Sequence, residues 1–334
     1  MAWNLAWGLG WDLAWKKEYS SVAAMGIVFV VSILLGMMAA AILPPSYRAF
    51  GEDTESAINP LIYIGITLLF TAIILFIARL GKAKFIKFII LGSVGITIAY
   101  VLYPFFSLIT DLWIVTDDGS CGVPIAGIPA LAIAGILVYA LLKFPEWYIV
   151  DAVGILVSAG AVAIFGISLG IFPVMLLLSI LALYDSIAVY KTKHMVTLAD
   201  NVMEQRLPVL LVVPKTTKYS FMKQKSLKKQ LDEEEERDAM FMGLGDIVVP
   251  GILVVSAYTF LPKYEIFGLV NSAFVVALCT LFGGLCGFML LMYFVLKGKP
   301  QAGLLLINSG VIFAYLISSY AIFGNFGLKV SMAF

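Results

Sequence analysis

Charge is what this sequence has least of. Only 13% of its 334 residues are Asp, Glu, Lys or Arg, against about 25% in an ordinary soluble domain. That shortage excludes a water-soluble globular fold. Histidine is nearly absent, with His194 alone at the end of an apolar run. A zinc protease takes two or three histidine ligands, commonly as His-Glu-x-x-His. A serine hydrolase takes a buried histidine base. Neither can be assembled from this chain. The three cysteines, Cys121, Cys279 and Cys286, have no metal-ligand spacing and form no disulfide framework. No Gly-x-x-x-x-Gly-Lys-Ser/Thr loop is present to cradle nucleotide phosphates. The net charge of +1 carries no basic signature, so nucleic acid is not an expected partner. No metal or organic cofactor is implied.

Apolar sequence is what remains. Hydrophobic residues make up 62% of the chain, and the mean hydropathy is +1.01. Runs of about 20 or more apolar residues read as transmembrane helices; a membrane β-barrel would instead alternate over segments of about ten residues. The expected fold is therefore an all-α polytopic membrane protein forming one membrane domain over 1–334. Nine spans are expected, at 22–43, 58–78, 85–109, 123–142, 147–170, 171–190, 239–262, 266–296 and 303–323. The long run 147–190 is divided near Gly166, Gly170 and Pro173, where Gly and Pro favour a turn. The run 266–296 is too short for two crossings and reads as one tilted helix.

Charge placement orients these spans. Of the 22 Lys and Arg, all but Arg48, Lys263 and Lys329 fall on the side of the N-terminus. The positive-inside rule makes that side cytoplasmic. The expected location is the cell membrane, with the C-terminus outside. No cleavable signal peptide is visible. Residues 1–18 carry Trp3, Trp7, Trp11 and Trp15 at every fourth position. On a helix they fan over about 120°, as an interfacial segment would place its indoles. The hydrophilic connection 191–238 reads as a cytoplasmic loop. Within it, Leu207 to Pro214 holds a short β-branched run between two prolines, which predicts a strand near 209–213.

Three carboxylates lie inside the spans: Asp151, Asp185 and Asp246. An intramembrane carboxylate is expensive and marks function by default. Asp151 is close enough to a span end to reach the interface, and its expected role is not catalytic. Asp185 lies six residues before Lys191, and Asp246 eight residues after Asp238. A helical rise of about 1.5 Å per residue puts both about 9–12 Å below the same boundary. Every Lys and Arg sits at a span end or in a loop, so neither acid has an obvious cation. Two acids at one depth on consecutive antiparallel spans suit a dyad that shares a proton. One member activates a water, and the other polarises or protonates a substrate carbonyl. Gly243 and Gly245, flanking Leu244 just before Asp246, allow a close backbone approach.

Leu181-Ala-Leu-Tyr184-Asp185 and Gly243-Leu244-Gly245-Asp246 resemble the Tyr-Asp and Gly-x-Gly-Asp motifs of the presenilin and signal peptide peptidase family. The residues Ser186 to Tyr190 and the layout from Met195 to Pro214 look presenilin-like. Gly243 to Gly251 looks more like signal peptide peptidase. The mixture resembles a microbial, archaeal-type homologue of both. A prepilin peptidase also uses a Gly-x-Gly-Asp aspartate, but the layout around both motifs fits the presenilin type better. The resemblance implies a nine-span intramembrane aspartyl protease of the Gly-x-Gly-Asp type, with catalytic Asp185 and Asp246 on spans six and seven. Tyr184 then neighbours the dyad, and Gly243, Leu244 and Gly245 position substrate. Family members also carry Pro-Ala-Leu at the start of the last span. Ala302-Gly303-Leu304 stands at that position here, with the proline absent. The literal Pro129-Ala130-Leu131 lies early in the fourth span and reads as coincidence.

The implied activity is hydrolysis of peptide bonds in or near transmembrane segments. Its implied partners are transmembrane protein or peptide substrates and the lipid bilayer, and a homo-oligomer is left open. The rival reading is an ion or proton pathway or leak channel, because membrane carboxylates also line transport routes. No internal symmetry of the kind seen in inverted-repeat transporters is visible.

Overall fold

A chain crossing hydrocarbon must satisfy its backbone amides within itself, and helices do this locally. The computed structural model describes residues 2–44, 47–49, 54–79, 83–113, 122–192, 210–215, 219–221, 239–266, 270–297 and 301–328. Among these are nine α-helices: α1 (Ala2–Ile42), α2 (Ile58–Arg79), α3 (Ala83–Trp113), α4 (Gly122–Lys143), α5 (Trp147–Ser168), α6 (Ile171–Ile187), α7 (Gly245–Phe260), α8 (Ser272–Leu296) and α9 (Gly303–Phe323). Helix α6 runs into a π turn, Ala188–Thr192. Four short strands complete the description: β1 (Leu210–Pro214), β2 (Ala239–Gly243), β3 (Glu265–Ile266) and β4 (Val270–Asn271). Strands β1 and β2 pair antiparallel, as do β3 and β4. Helices α1, α3, α4, α5, α6, α8 and α9 contain stretches long and apolar enough to cross a membrane. Helix α7, with 16 residues, is shorter.

Lipid is as apolar as leucine, so helices associate in a membrane through close packing rather than hydrophobic exclusion. Small residues make this possible. On α8, Gly283 and Gly287 stand one turn apart against the α9 backbone. A Cβ on Gly287 would lie 2.6 Å from the carbonyl oxygen of Leu306, and one on Gly283 would overlap Gly310 and Ala314. A similar socket links α1, α5 and α7. Val162 of α5 fits between Gly36 of α1 and Gly251 of α7, where added Cβ atoms would come within 2.9 and 2.7 Å of its methyl groups. The Ser256 hydroxyl of α7 donates to the Leu169 carbonyl at 2.9 Å. Helices α1, α5, α6, α7, α8 and α9 thus share one buried core, while α3 and α4 pack outside α5.

Several boundaries differ from the sequence reading. The Trp-rich segment and the first span form one continuous helix, α1. The break in 147–190 falls at Leu169 and Gly170. Pro173 then occupies the first turn of α6, where its missing amide costs nothing. Residues 239–243 are strand β2 rather than the first turns of a span, and β3 pairs with β4 ahead of α8. A short apolar run does not distinguish strand from helix by periodicity. The depth estimate for Asp246 assumed a helical rise from Asp238, which the extended residues 239–243 do not have. His194, Cys121, Leu207, Pro208, Pro300 and most of 191–238 lie outside the described residues, as do the side chains of Trp3, Trp7, Trp11 and Trp15.

The β1–β2 hairpin sits inside the helical assembly. Leu211 and Val213 enter the main core, while Val212, on the opposite face, packs in a second cluster with Phe221 and Ala239. Strand side chains alternate between faces, so β1 is buried on both. Its C-terminal end is held to α1: Ser21 donates to the Pro214 carbonyl at 3.3 Å, and Lys215 pairs with Glu18 at 3.0 Å. Glu146, capping α5, accepts from the Ser220 hydroxyl at 2.8 Å and the Phe221 amide at 3.1 Å.

Candidate active site

The last turn of α6, the first turn of α7 and the first turn of α9 converge. Asp185 lies near the end of α6 and is 7% exposed. Its Oδ2 accepts a hydrogen bond from the Leu304 amide at 3.0 Å. Leu304 is the second residue of α9, and amides in a helix's first turn have no intrahelical partner. A carboxylate satisfies such an amide and faces the positive end of the helix dipole.

Asp246 reaches the same place from the opposite direction. It is the second residue of α7. A Cβ built on Gly303 would lie 3.6 Å from its Oδ1 and 3.7 Å from its Cγ. The two carboxylates therefore meet around consecutive residues, Asp185 on the amide of Leu304 and Asp246 beside Gly303. They are within electrostatic range of each other. Gly243 at the end of β2 lies against the Asp246 carboxylate, with a Cβ built on it 3.6 Å from Oδ2. Among the described residues the one Lys or Arg ion pair is Lys215 with Glu18, remote from this site. Two acids with no cation between them among the described residues can hold one proton and act together as base and acid.

The expected site residues fall into two groups. Ala302 is 1% exposed and caps α9 in an extended conformation; with Gly303 and Leu304 it forms the turn on which the acids converge. Before α9, Gln301 accepts from the Tyr190 hydroxyl at 2.8 Å, joining that turn to the segment after Asp185. Gly243 lies against Asp246, whereas a Cβ on Gly245 would meet none of the described residues within 4 Å. Among the described residues, open space thus borders the dyad at Gly245. Leu244 packs toward Gly154 of α5. Tyr184 is different: it is 66% exposed, one residue before Asp185 and so about 100° around the helix from it. The literal Pro129-Ala130-Leu131 is in α4, which packs on α3 and α5.

Asp151 was expected near an interface. It is instead 8% exposed, and its Oδ1 accepts from the Val212 amide of β1 at 2.7 Å. Gly154, three residues on and on the same helix face, lets Leu211 and Leu244 approach, at 2.9 and 3.2 Å from where its Cβ would be. An acid followed by a glycine at i+3 was the available signal. Its partner, 61 residues away, left none.

A family model described as signal-peptide peptidase, presenilin aspartyl protease matches residues 25–323. Two solved structures of a presenilin family intramembrane aspartate protease are also similar. One, in a C222 crystal form, is 31% identical with a TM-score of 0.64, covering 90% of this chain and 99% of that one. The other, in a P2 form, is 31% identical with a TM-score of 0.58, covering 88% and 96%. No curated protein matches significantly.

Proposed function

Because the chain belongs to the presenilin and signal peptide peptidase family of intramembrane aspartyl proteases, we propose that Asp185 and Asp246 are its catalytic dyad, of the Gly-x-Gly-Asp type. The family assignment favours proteolysis over a channel. It makes the protein an integral membrane enzyme acting on membrane-protein substrates. One observation carries the residue assignment: both carboxylates converge on the first turn of α9, with Leu304 bonded to Asp185 and Gly303 beside Asp246.

In this reading the pair shares one proton. The ionised member takes a proton from water, whose oxygen attacks the scissile carbonyl carbon. The protonated member gives its proton to the carbonyl oxygen. The resulting gem-diol collapses as a proton passes to the amide nitrogen, the C–N bond breaks, and an acid and an amine leave. The open side at Gly245 supports approach of the substrate backbone there.

A transmembrane substrate arrives as a helix with its amides already bonded, so it must unwind before cleavage. Strand addition offers its freed amides new partners. The amide of Val212 points to Asp151, and Pro214 has no amide, so β1 offers little on its outer edge. Among the described residues no third strand covers β2, which leads directly to Gly243 and the dyad. The edge of β2 is therefore the proposed docking site for unwound substrate.

Replacing either acid tests the assignment. Asp185→Asn and Asp246→Asn, each folded by melting and gel filtration, should lose at least about 100-fold in cleavage of a model single-span substrate, as expected when an acid–base partner is removed. Near wild-type cleavage by either variant would reject the dyad.

The proposed orientation places the N-terminus and the 191–238 connection in the cytoplasm and the C-terminus outside the cell membrane, on the strength of the basic-residue asymmetry. In a cysteine-free background, a single cysteine at Lys225 should label only from the cytoplasm and one at Asp118 only from outside. The reverse pattern would invert the topology.

A further inference from the structure

Asp151 is a buried carboxylate that the hydrolysis described above does not use. It lies in the second turn of α5, and among the described residues no Lys or Arg pairs with it. Its bond to Val212 is short, at 2.7 Å, and buried. Burying a polar side chain is costly unless it is hydrogen-bonded to some purpose, so this one needs a reason to be there.

The strand register suggests one. Antiparallel pairs alternate between residues that exchange two bonds and residues whose amides point outward. Val212 points outward to Asp151, so its partner Phe241 and the next outward pair, Leu210 with Gly243, follow the same alternation. Gly243, at an outward position, lies against the Asp246 carboxylate, where a Cβ on it would be 3.6 Å from Oδ2. Pro214 occupies another outward position, where no ladder donor is lost. A continuous set of contacts thus runs from Asp151 through Val212 and the β1–β2 ladder to Gly243 and Asp246. Gly154 adds a second fastening, since its missing side chain lets both Leu211 of β1 and Leu244, two residues before Asp246, rest on α5.

We propose that Asp151 is a positioning residue for the dyad: by accepting the Val212 amide it fixes the β1–β2 hairpin on α5, and the hairpin fixes Asp246 opposite Asp185. This rests on Asp185 and Asp246 being the catalytic pair. The property needed of Asp151 is an acceptor oxygen, not a charge. Asparagine keeps that oxygen and valine does not.

The experiment compares Asp151→Val and Asp151→Asn in purified protein, measuring kcat and KM on a model single-span substrate together with the melting temperature. Asp151→Val should lower kcat toward about 100-fold, the loss that a misplacement of about 1 Å produces, with a much smaller change in KM. Asp151→Asn should restore most of it. Because Asp151→Val leaves a buried amide unpaired, Val212→Pro provides a second route: it removes the donor at an outward position while sparing the ladder. It should also lower kcat with the hairpin retained. Wild-type kcat in Asp151→Val or in Val212→Pro overturns the proposal, as does equal loss in Asp151→Asn and Asp151→Val, which would mean that the charge matters. Failure of the underlying dyad reading looks different: Asp185→Asn or Asp246→Asn would then still cut, whatever Asp151 does.

Discussion

Two junctions in this molecule are built from the same three parts. At the α5–β1 junction a buried acid, Asp151, accepts a distant backbone amide, that of Val212, and a glycine, Gly154, admits the neighbouring chain. At the α6–α9 junction the acid is Asp185, the amide is that of Leu304, and the glycine is Gly303. The bonds are 2.7 and 3.0 Å, and both acids are less than 9% exposed. What separates the junctions is a fourth component. Asp246 faces Asp185 across Gly303, whereas the side chains nearest Gly154 are leucines. A buried carboxylate bonded to an amide is thus a fastening. It becomes proposed acid–base machinery when a second acid shares its site.

The glycines sharpen the contrast. Among the glycine changes the largest effect on activity is expected from Gly303→Leu, because the added side chain would enter the space where Asp246 meets the α9 turn. Cleavage should fall by at least about tenfold while the melting temperature changes little, since a misplaced catalytic group costs rate rather than packing. Gly154→Ile should cost stability as well, overpacking the hairpin against α5 at about 1–3 kcal/mol. A lower melting temperature together with a loss of cleavage would show it. Gly303→Ala should have the smallest effect, since its Cβ would find ordinary contacts of 3.4 to 3.7 Å. If Gly303→Leu melts early and Gly154→Ile does not, the two junctions have exchanged roles and the comparison fails.

The same contrast explains what could be read in advance. Asp185 and Asp246 were legible because acids in runs otherwise apolar have few structural explanations. The turn at Ala302-Gly303-Leu304 was legible through resemblance alone; nothing in three small and apolar residues announces that one amide will meet a carboxylate. Asp151 lies near a span end, which in the sequence alone implies access to the interface, yet it is buried against β1. A hairpin drawn from a connection of nearly fifty residues covers it instead. The start of the seventh span was misplaced for a related reason. Ala239-Met-Phe-Met-Gly243 has residues that favour helix as readily as strand, and pairing with Leu210–Pro214 settles it as strand. Single-residue propensity yields to such tertiary partners. The glycine seam of α8 and α9 is a further case: Gly283 and Gly287 form a visible Gly-x-x-x-Gly, but which helix they face is set only by the fold.

The central claim is that Asp185 and Asp246 titrate as one coupled pair while Asp151 is a fastening. The most direct test is the pH dependence of kcat for the wild type and for Asp151→Asn, over the range where both stay folded. A pair active with one proton has two macroscopic ionisations, so cleavage should decline on both the acidic and the alkaline side. Asp151→Asn keeps the acceptor for Val212 and should leave both limbs where they were. A wild-type profile with a single limb, or the loss of a limb on changing Asp151 to Asn, would contradict the account.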